Sequence, residues 1–296
     1  MRRKTKKIGL GAMIFLAVIL MLTVFAWLWL SLTPLTPVKE RVFSWLPFPA
    51  AIVGGHPVSM KEFISRYRGA REFLDQQGSI APANLPNLVM QRLIDETKLG
   101  IIASQHGAVP TENQITEEYQ RQSAGLSAAG QGTAEQALAA AGLNDGTFKN
   151  ELINRQVEAA NLQTWFYGQR ALNTGAYSAA DSILAALSSG QTFEDLAKKY
   201  SQDPQTSELG GDNGFIPADR MLPEALAALQ DLPPNQVKLV PTRYGLEIIK
   251  YLGQADAGGQ AAYHLEHIFL QGGDFFSWYA EQSAKLRVIK IISSKF

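Results

Sequence analysis

The sequence predicts an α+β fold. It should have an N-terminal transmembrane helix, then a mostly helical domain, then an antiparallel sheet with surrounding helices. Three observations carry this. Residues 8–32, IGLGAMIFLAVILMLTVFAWLWLSL, contain no charge. Through residues 50–171 apolar side chains recur at helical spacing. From residue 172 onward, short runs such as VKLVPT and LEIIKYL alternate with helical patterns and with Gly and Pro turns.

The charge-free run has 25 residues. As a helix it spans roughly 38 Å, against a hydrocarbon core of about 30 Å. It is too long for the core of a signal peptide and lacks a small-residue cleavage site at its end. A buried core helix would carry polar residues on at least one face. Trp27 and Trp29 near the outer end suit an interfacial belt. Residues 1–7, MRRKTKK, carry five positive charges and no negative one, so this flank is expected to be cytoplasmic. Residues 33–49 form a Pro-punctuated linker, and everything beyond is expected outside the cytoplasm. The whole chain has 27 Lys and Arg against 27 Asp and Glu; without the five N-terminal charges it has 22 against 27, a net of −5. No basic patch points to nucleic acid. The chain has no cysteine, which excludes disulfides, thiolate metal sites and a lipid-anchored cysteine.

The helical part, residues 50–171, opens with AIVGG, a short strand and a turn. A helix follows, with Ser59 and Glu62 spaced as a capping box. Residues 84–106 place Leu85, Val89, Leu93, Ile94 and Ile101 at helical spacing, and Gly107 ends that helix. Thr111 and Gln114 open the next. AGLSAAGQG, residues 124–132, reads as loop, TAEQALAAAG as a short helix, and residues 147–171 as one long helix. No acid, base or metal-ligand cluster converges here. His56 and His106 are each read as isolated surface or capping histidines. Such a region suits packing or polypeptide binding.

In the last part, residues 172–296, Ser178 and Asp181 are expected to start one helix, and Gly190 to stop it. Thr192 and Asp195 start the next, residues 211–217 suit a short strand, and Pro223 opens a further helix. The strands VKLVPT and LEIIKYL follow, with a turn at residues 243–245. Residues 274–286 read as helix and 287–292 as a last strand, both expected to pack on this same domain.

GQTFEDLAKKYSQDP, GGDNGFIPADRMLPEAL and VKLVPTRYGLEIIKYL occur in that order. In order and spacing they resemble the parvulin-type peptidyl-prolyl isomerases, over a motif core of residues 178–252. The preceding stretches VGGHPVSMKEF and LVMQRLIDETKLGIIASQHGAVPTENQITEEY look like the helical chaperone region of SurA-type and membrane-anchored extracytoplasmic foldases. The resemblance implies isomerisation of X-Pro bonds in unfolded or translocating client chains. It implies no metal and no cofactor. The amide barrier, about 18–20 kcal/mol, arises from C–N double-bond character. It can be lowered by an apolar slot for the proline ring and by polar groups that favour the twisted amide.

Carried over residue by residue, the resemblance assigns Asp203 to the catalytic Asp or Cys position, Met221 to the proline slot and Thr242 to the strand threonine. Three positions depart from the family pattern. Glu247 replaces a histidine of the last strand and, with Met221, Ala225 and Asn213, is expected to line the substrate slot. Ala225 replaces the slot phenylalanine. Asn213 replaces a leucine. Ala225 and Asn213 are expected to loosen or wet the slot. Asp203 has a second reading, as a plain turn residue before Pro204. The family's first strand, with its histidine, should precede residue 178, and ALNTGAY is a poor strand. LEHIFL, on the C-terminal side, looks like the missing strand, with His267 at the histidine position. The expected domain is thus permuted: a hairpin of residues 246–252 and 263–270 would insert the strand where the family's first strand lies. The competing reading makes His267 a core histidine. His264 and His267 fall on opposite faces of a strand, which argues against a metal pair. The enzyme reading stands beside a non-catalytic chaperone that keeps the fold, which Glu247, Ala225 and Asn213 favour. A hydrolase lacks any Ser–His or Cys–His constellation within a motif.

Overall fold

The structure is a computed structural model and describes residues 21, 41, 48–128, 133–140, 144–256 and 259–292. The expected membrane span, residues 8–32, lies outside the described residues, Met21 excepted. Among the described residues no helix is long and apolar enough to cross a membrane. The chain divides into two units: Met1–Lys98 with Lys285–Phe296, and Leu99–Ala284.

In the first unit, strands β1 (Pro49–Val53) and β2 (His56–Ser59) form an antiparallel hairpin. Gly54 and Gly55 both take positive φ, 55° and 88°, as a two-residue hairpin turn requires. Helix α1 (Met60–Gln76) starts at Ser59, whose side chain accepts the Glu62 amide at 3.5 Å. Glu62 does not complete the box; it pairs with Arg66 at 3.8 Å. Met60, Phe63 and Ile64 bury one face of α1. The last strand, β7 (Val288–Lys290), pairs antiparallel with β1, giving the order β2-β1-β7. This corrects the assignment of residues 287–292 to the C-terminal domain. β1 had one open edge, and the apolar run Val288–Ile289 supplies the backbone groups that satisfy it.

Helix α2 (Leu85–Gln105) ends at Gly107, whose φ of +67° is the left-handed conformation of a C-terminal cap. In the second unit, α3 (Glu112–Ala128) opens on a reciprocal capping box: the Thr111 amide donates to Gln114 Oε1 at 3.0 Å, and the Gln114 amide to Thr111 Oγ1 at 3.3 Å. α3 runs through residues expected to be loop, as far as Ala128. Alanine and leucine favour helix, and Leu126 packs against a cluster of Ile115, Leu138 and Phe148, which outweighs Gly125. α4 (Ala134–Ala140) repeats the box with Thr133 and Gln136. The expected long helix exists as three continuous pieces: Asp145–Thr147, a π-helical turn Phe148–Ile153, and α5 (Asn154–Gly168). It ends before residue 171 because side chains take its last carbonyls. Asn173 Nδ2 donates to the carbonyls of Phe166 (2.7 Å) and Gln169 (3.0 Å), and the Tyr177 hydroxyl to that of Gly168 (3.0 Å).

α6 (Thr174–Ser188) begins four residues before the expected Ser178, so ALNTGAY is mostly helix start and turn rather than a weak strand. α7 (Phe193–Tyr200) is capped by Thr192, which accepts the Asp195 amide at 3.1 Å. β3 (Asp212–Pro217), α8 (Pro223–Leu229), β4 (Val237–Pro241), β5 (Leu246–Asp256), β6 (Ala261–Leu270) and α9 (Phe275–Ala284) follow. The sheet is antiparallel in the order β3-β6-β5-β4. β5 and β6 are each flanked on both sides, so successive side chains enter different cores. Ile248, Ile268, Leu246 and Leu270 pack with α6 and α7 through Ile183 and Leu196. Ile249, Tyr251 and Leu265 pack on the other face with Met221, Ala225 and Leu229.

The expectation that His106 is isolated is corrected. Its ring stacks on Trp165 at 3.9 Å between centroids and lies 5.4 Å from Trp278, and burial pushes its pKa down from the ordinary 6.5. Trp165 comes from α5 and Trp278 from α9, 113 positions later in the chain. Spacing could not reveal the stack.

Candidate active site

The loop between α7 and β3 brings the site together. It runs along β6 beyond the end of β3: the Gln202 amide donates to the Phe269 carbonyl (2.8 Å), the Phe269 amide to Ser201 Oγ (3.1 Å), and the His267 amide to the Gly211 carbonyl (2.8 Å). Gly210 and Gly211 make this approach possible. Both have positive φ, 71° and 83°, and a Cβ on Gly211 would collide with the His267 carbonyl oxygen. The rest of GGDNG is turn chemistry. Asp212 Oδ1 accepts the Gly214 amide at 2.8 Å, and Gly214 has φ +63°.

The approach places Asp203 beside His267. Nε2 of the imidazole lies 3.0 Å from Asp203 Oδ2 and 2.9 Å from Thr206 Oγ1. Nδ1 lies 3.4 Å from Glu247 Oε2, contributed by β5. Thr242, wholly buried at the end of β4, donates from Oγ1 toward Glu247 Oε1 at 3.4 Å and toward the Gly245 carbonyl at 3.3 Å. Thr206 Oγ1 donates to Asp203 Oδ2 at 2.6 Å, and Asp203 Oδ1 accepts the Gln205 amide at 3.1 Å. Asp203 is therefore both a turn residue and the partner of the histidine; its two oxygens serve the two roles.

The electrostatics follow from this packing. Burial alone would push the His267 pKa down, but hydrogen bonds and charge from Glu247 and Asp203 outweigh it, and the net shift is upward from 6.5. For Asp203, burial would raise the pKa. Hydrogen bonds from Thr206, the Gln205 amide and His267 prevail, and the carboxyl sits below its ordinary 3.8. Side-chain exposure is 14% for His267, 12% for Glu247 and 22% for Asp203. Asp203 is the member of the network that solvent reaches most easily.

The structure thus joins Asp203, His267, Thr242 and Glu247 in one network, and adds Thr206. Sequence reading missed Thr206. Its signal was the spacing D-x-x-T, which lets a threonine hydroxyl reach back to an aspartate three residues earlier. Met221 and Ala225 are not part of the hydrogen-bonded network. Each is 5% exposed, in the apolar cluster with Ile249, Tyr251 and Leu265. Ala225, where the family pattern has a phenylalanine, is itself buried within the cluster. Asn213 is half-buried in β3, at a bulge between Asp212 and Phe215. His264 is separate from His267: it lies 2.8 Å from Asp212 Oδ1 and against the Phe215 ring at 4.8 Å. Among the described residues no group of three or more His, Cys, Asp or Glu is arranged to hold a metal ion.

A partly buried ion pair anchors the edge of this face. Arg243 Nε lies 3.0 Å from Glu224 Oε1, and Thr164 Oγ1 donates to the same oxygen at 2.9 Å. Helix α5 is thereby tied to α8 and to the β4–β5 turn that carries Thr242.

Comparison with known proteins agrees with this architecture. The SurA-like N-terminal domain family matches residues 1–162, and the PPIC-type PPIASE domain family matches residues 153–255, stopping short of β6 and His267. Chaperone SurA of Pseudomonas fluorescens is 36% identical over 76 residues, 25% of this chain and 18% of the relative. Foldase protein PrsA 1 of Bacillus cereus is 38% identical over 72 residues, 24% of this chain and 25% of the relative. Foldase protein PrsA of a Geobacillus species is 42% identical over 72 residues, 24% of this chain and 26% of the relative. The matched stretch thus spans about a quarter or less of these curated relatives. A crystal structure of peptidylprolyl isomerase PrsA from Bacillus anthracis aligns with 65% of this chain and 86% of its own, at 18% identity and a TM-score of 0.21. With more than half its length matched by one family and most of the remaining sheet-bearing part by the other, the chain belongs to the SurA-like N-terminal domain family and carries a PPIC-type, or parvulin, isomerase domain.

Proposed function

We propose that this chain is a membrane-anchored, extracytoplasmic folding factor that catalyses cis–trans isomerisation of X-Pro bonds in unfolded or translocating polypeptides. The observation that carries the reading is the 3.0 Å approach of His267 Nε2 to Asp203 Oδ2, residues 64 positions apart. The sheet order β3-β6-β5-β4 supports reading the domain as a permuted parvulin domain, in which β6 takes the place of the family's first strand beside the last, β5. Residues 8–32 would form the anchor, with residues 1–7 in the cytoplasm.

The chemistry needs no bond to be made or broken. A planar prolyl amide carries partial negative charge on its carbonyl oxygen, and twisting about C–N removes it. A carboxylate held ionised next to that oxygen disfavours the planar form more than the twisted one. Asp203 is fixed in advance by Thr206, the Gln205 amide and His267, so no reorganisation is required when the amide twists. Met221, the slot position the resemblance implies, lies in the apolar cluster on the same face of the sheet, and a proline ring would enter as that cluster opens.

A second reading, a non-catalytic polypeptide-binding chaperone that retains the fold, is favoured by the burial of Met221 and Ala225, each 5% exposed. A proline-limited peptide isomerisation assay on the full chain, with varied residues before the proline, separates the two. Acceleration that falls on the order of 10²-fold in Asp203→Ala and His267→Ala, with suppression of client aggregation retained, supports the isomerase. Suppressed aggregation by the wild type without any acceleration supports the chaperone instead.

A further inference from the structure

We infer that Glu247 and Thr206 are positioning residues of this site, holding the His267 imidazole as a doubly donating cation with its Nε2–H aimed at Asp203. The kinetic consequence rests on the isomerase reading; the charge arrangement does not. Glu247 had been expected to line the substrate slot. Its side chain is only 12% exposed, and both oxygens are engaged, Oε2 by His267 Nδ1 at 3.4 Å and Oε1 by Thr242 at 3.4 Å. It is therefore turned toward the ring and away from a client.

The donor count decides the ring's state. A hydroxyl donates once and accepts twice. Thr206 spends its hydrogen on Asp203 Oδ2 at 2.6 Å, so at 2.9 Å from Nε2 it is an acceptor. Nε2 therefore faces two acceptors, and Nδ1 faces a carboxylate. A neutral imidazole would turn a lone pair toward one of them. The titratable groups facing the ring are Asp203 from the loop and Glu247 from β5. Nearby charges on the packed elements are otherwise engaged: Glu224 with Arg243, Glu266 with Lys250, and His264 with Asp212. One cation between two carboxylates leaves one net negative charge. The structure assigns that charge to Asp203, the more exposed of the two. The glutamate that stands where the family has a second histidine thus balances the imidazolium and leaves the more exposed aspartate ionised.

The test is imidazole ¹⁵N NMR of the full chain labelled at histidine nitrogen, with the His267 signals identified by their loss in His267→Gln. The expected spectrum near neutral pH has both His267 nitrogens protonated. Glu247→Gln should lower the titration midpoint by about one pH unit, a tenfold change in the ionisation constant. The alkaline limb of the kcat/KM profile for isomerisation should move down with it, by about the same tenfold in proton concentration. Thr206→Val should reduce kcat/KM without a comparable midpoint shift, and Thr206→Ser should restore it. A neutral, single-tautomer His267 in the wild type, or an unmoved midpoint in Glu247→Gln, overturns the inference. Should Glu247→Gln fail to fold, the wild-type spectrum decides alone. A doubly protonated ring in a protein that accelerates nothing sinks the isomerase reading and leaves the charge arrangement standing. A neutral ring in an active isomerase does the reverse.

Discussion

Replacing Gly211 with alanine tests how the site is assembled. Gly211 has φ +83°, and its carbonyl accepts the His267 amide at 2.8 Å. A Cβ there meets the His267 carbonyl oxygen, which is backbone of a central strand, and the Ala197 methyl at 3.1 Å. Neither neighbour can swing aside. The left-handed conformation costs an alanine about 1–2 kcal/mol. Overpacking adds about 1–3 kcal/mol, and a weakened backbone hydrogen bond about 1 kcal/mol. The total is about 4 kcal/mol. Gly214 is an internal control: its φ is +63°, but nothing lies within 4 Å of its Cβ position. Gly214→Ala should therefore incur only the conformational cost, about 1–2 kcal/mol. For a unit of this size, about 2–4 °C of Tm per kcal/mol, Gly211→Ala should lower the melting point roughly 10 °C and Gly214→Ala roughly 4 °C, read by calorimetry. If the two variants melt together, close approach of the loop to β6 does not hold Asp203 against His267, and the account of the glycine pair is wrong.

Two further outcomes are expected. Because the folded pKa of His267 lies above 6.5, its contribution to stability is full below that value and fades as pH rises through the raised pKa. Because that of Asp203 lies below 3.8, its contribution is full above that value and is lost as pH falls through the lowered pKa. The second unit should therefore melt highest between these limits, and His267→Gln should flatten the alkaline decline in Tm measured across pH. Asn173→Ala removes a 2% exposed amide that holds the carbonyls of Phe166 and Gln169 and accepts the Gly273 amide at 2.8 Å. Stranding these buried groups should cost about 3 kcal/mol in denaturant unfolding, and a loss under about 1 kcal/mol would mean that water replaces the amide without penalty.

Local chemistry made much of this protein legible from its residues. N-cap side chains at Ser59, Thr111 and Thr192 start helices because each oxygen accepts a free amide only three residues on. Pro223 opens α8, and Gly107 closes α2, for equally local reasons. The motif order from residue 178 to 252 identified the sheet, and the missing first strand pointed to LEHIFL, which lies beside β5 as β6. Helix ends were less legible wherever a distant side chain took the last carbonyls, as Asn173 and Tyr177 do for α5. The short strand β7 is one more case, since a three-residue run cannot announce which open edge it will fill.

The amino-acid sequence by itself determined the charge-free N-terminal run, the helical region, the strands and the residues Asp203, Thr242, Glu247 and His267 as a set worth bringing together. Only the tertiary structure decided what they do to one another. It turned Glu247 inward onto the imidazole, added Thr206, buried Met221 and Ala225 in an apolar cluster, and left Asp203 as the more exposed of the two carboxylates. The reason is range. Caps, turns and strand periodicity are settled within a few residues, whereas a histidine's charge depends on carboxylates that arrive from positions 20 and 64 residues away.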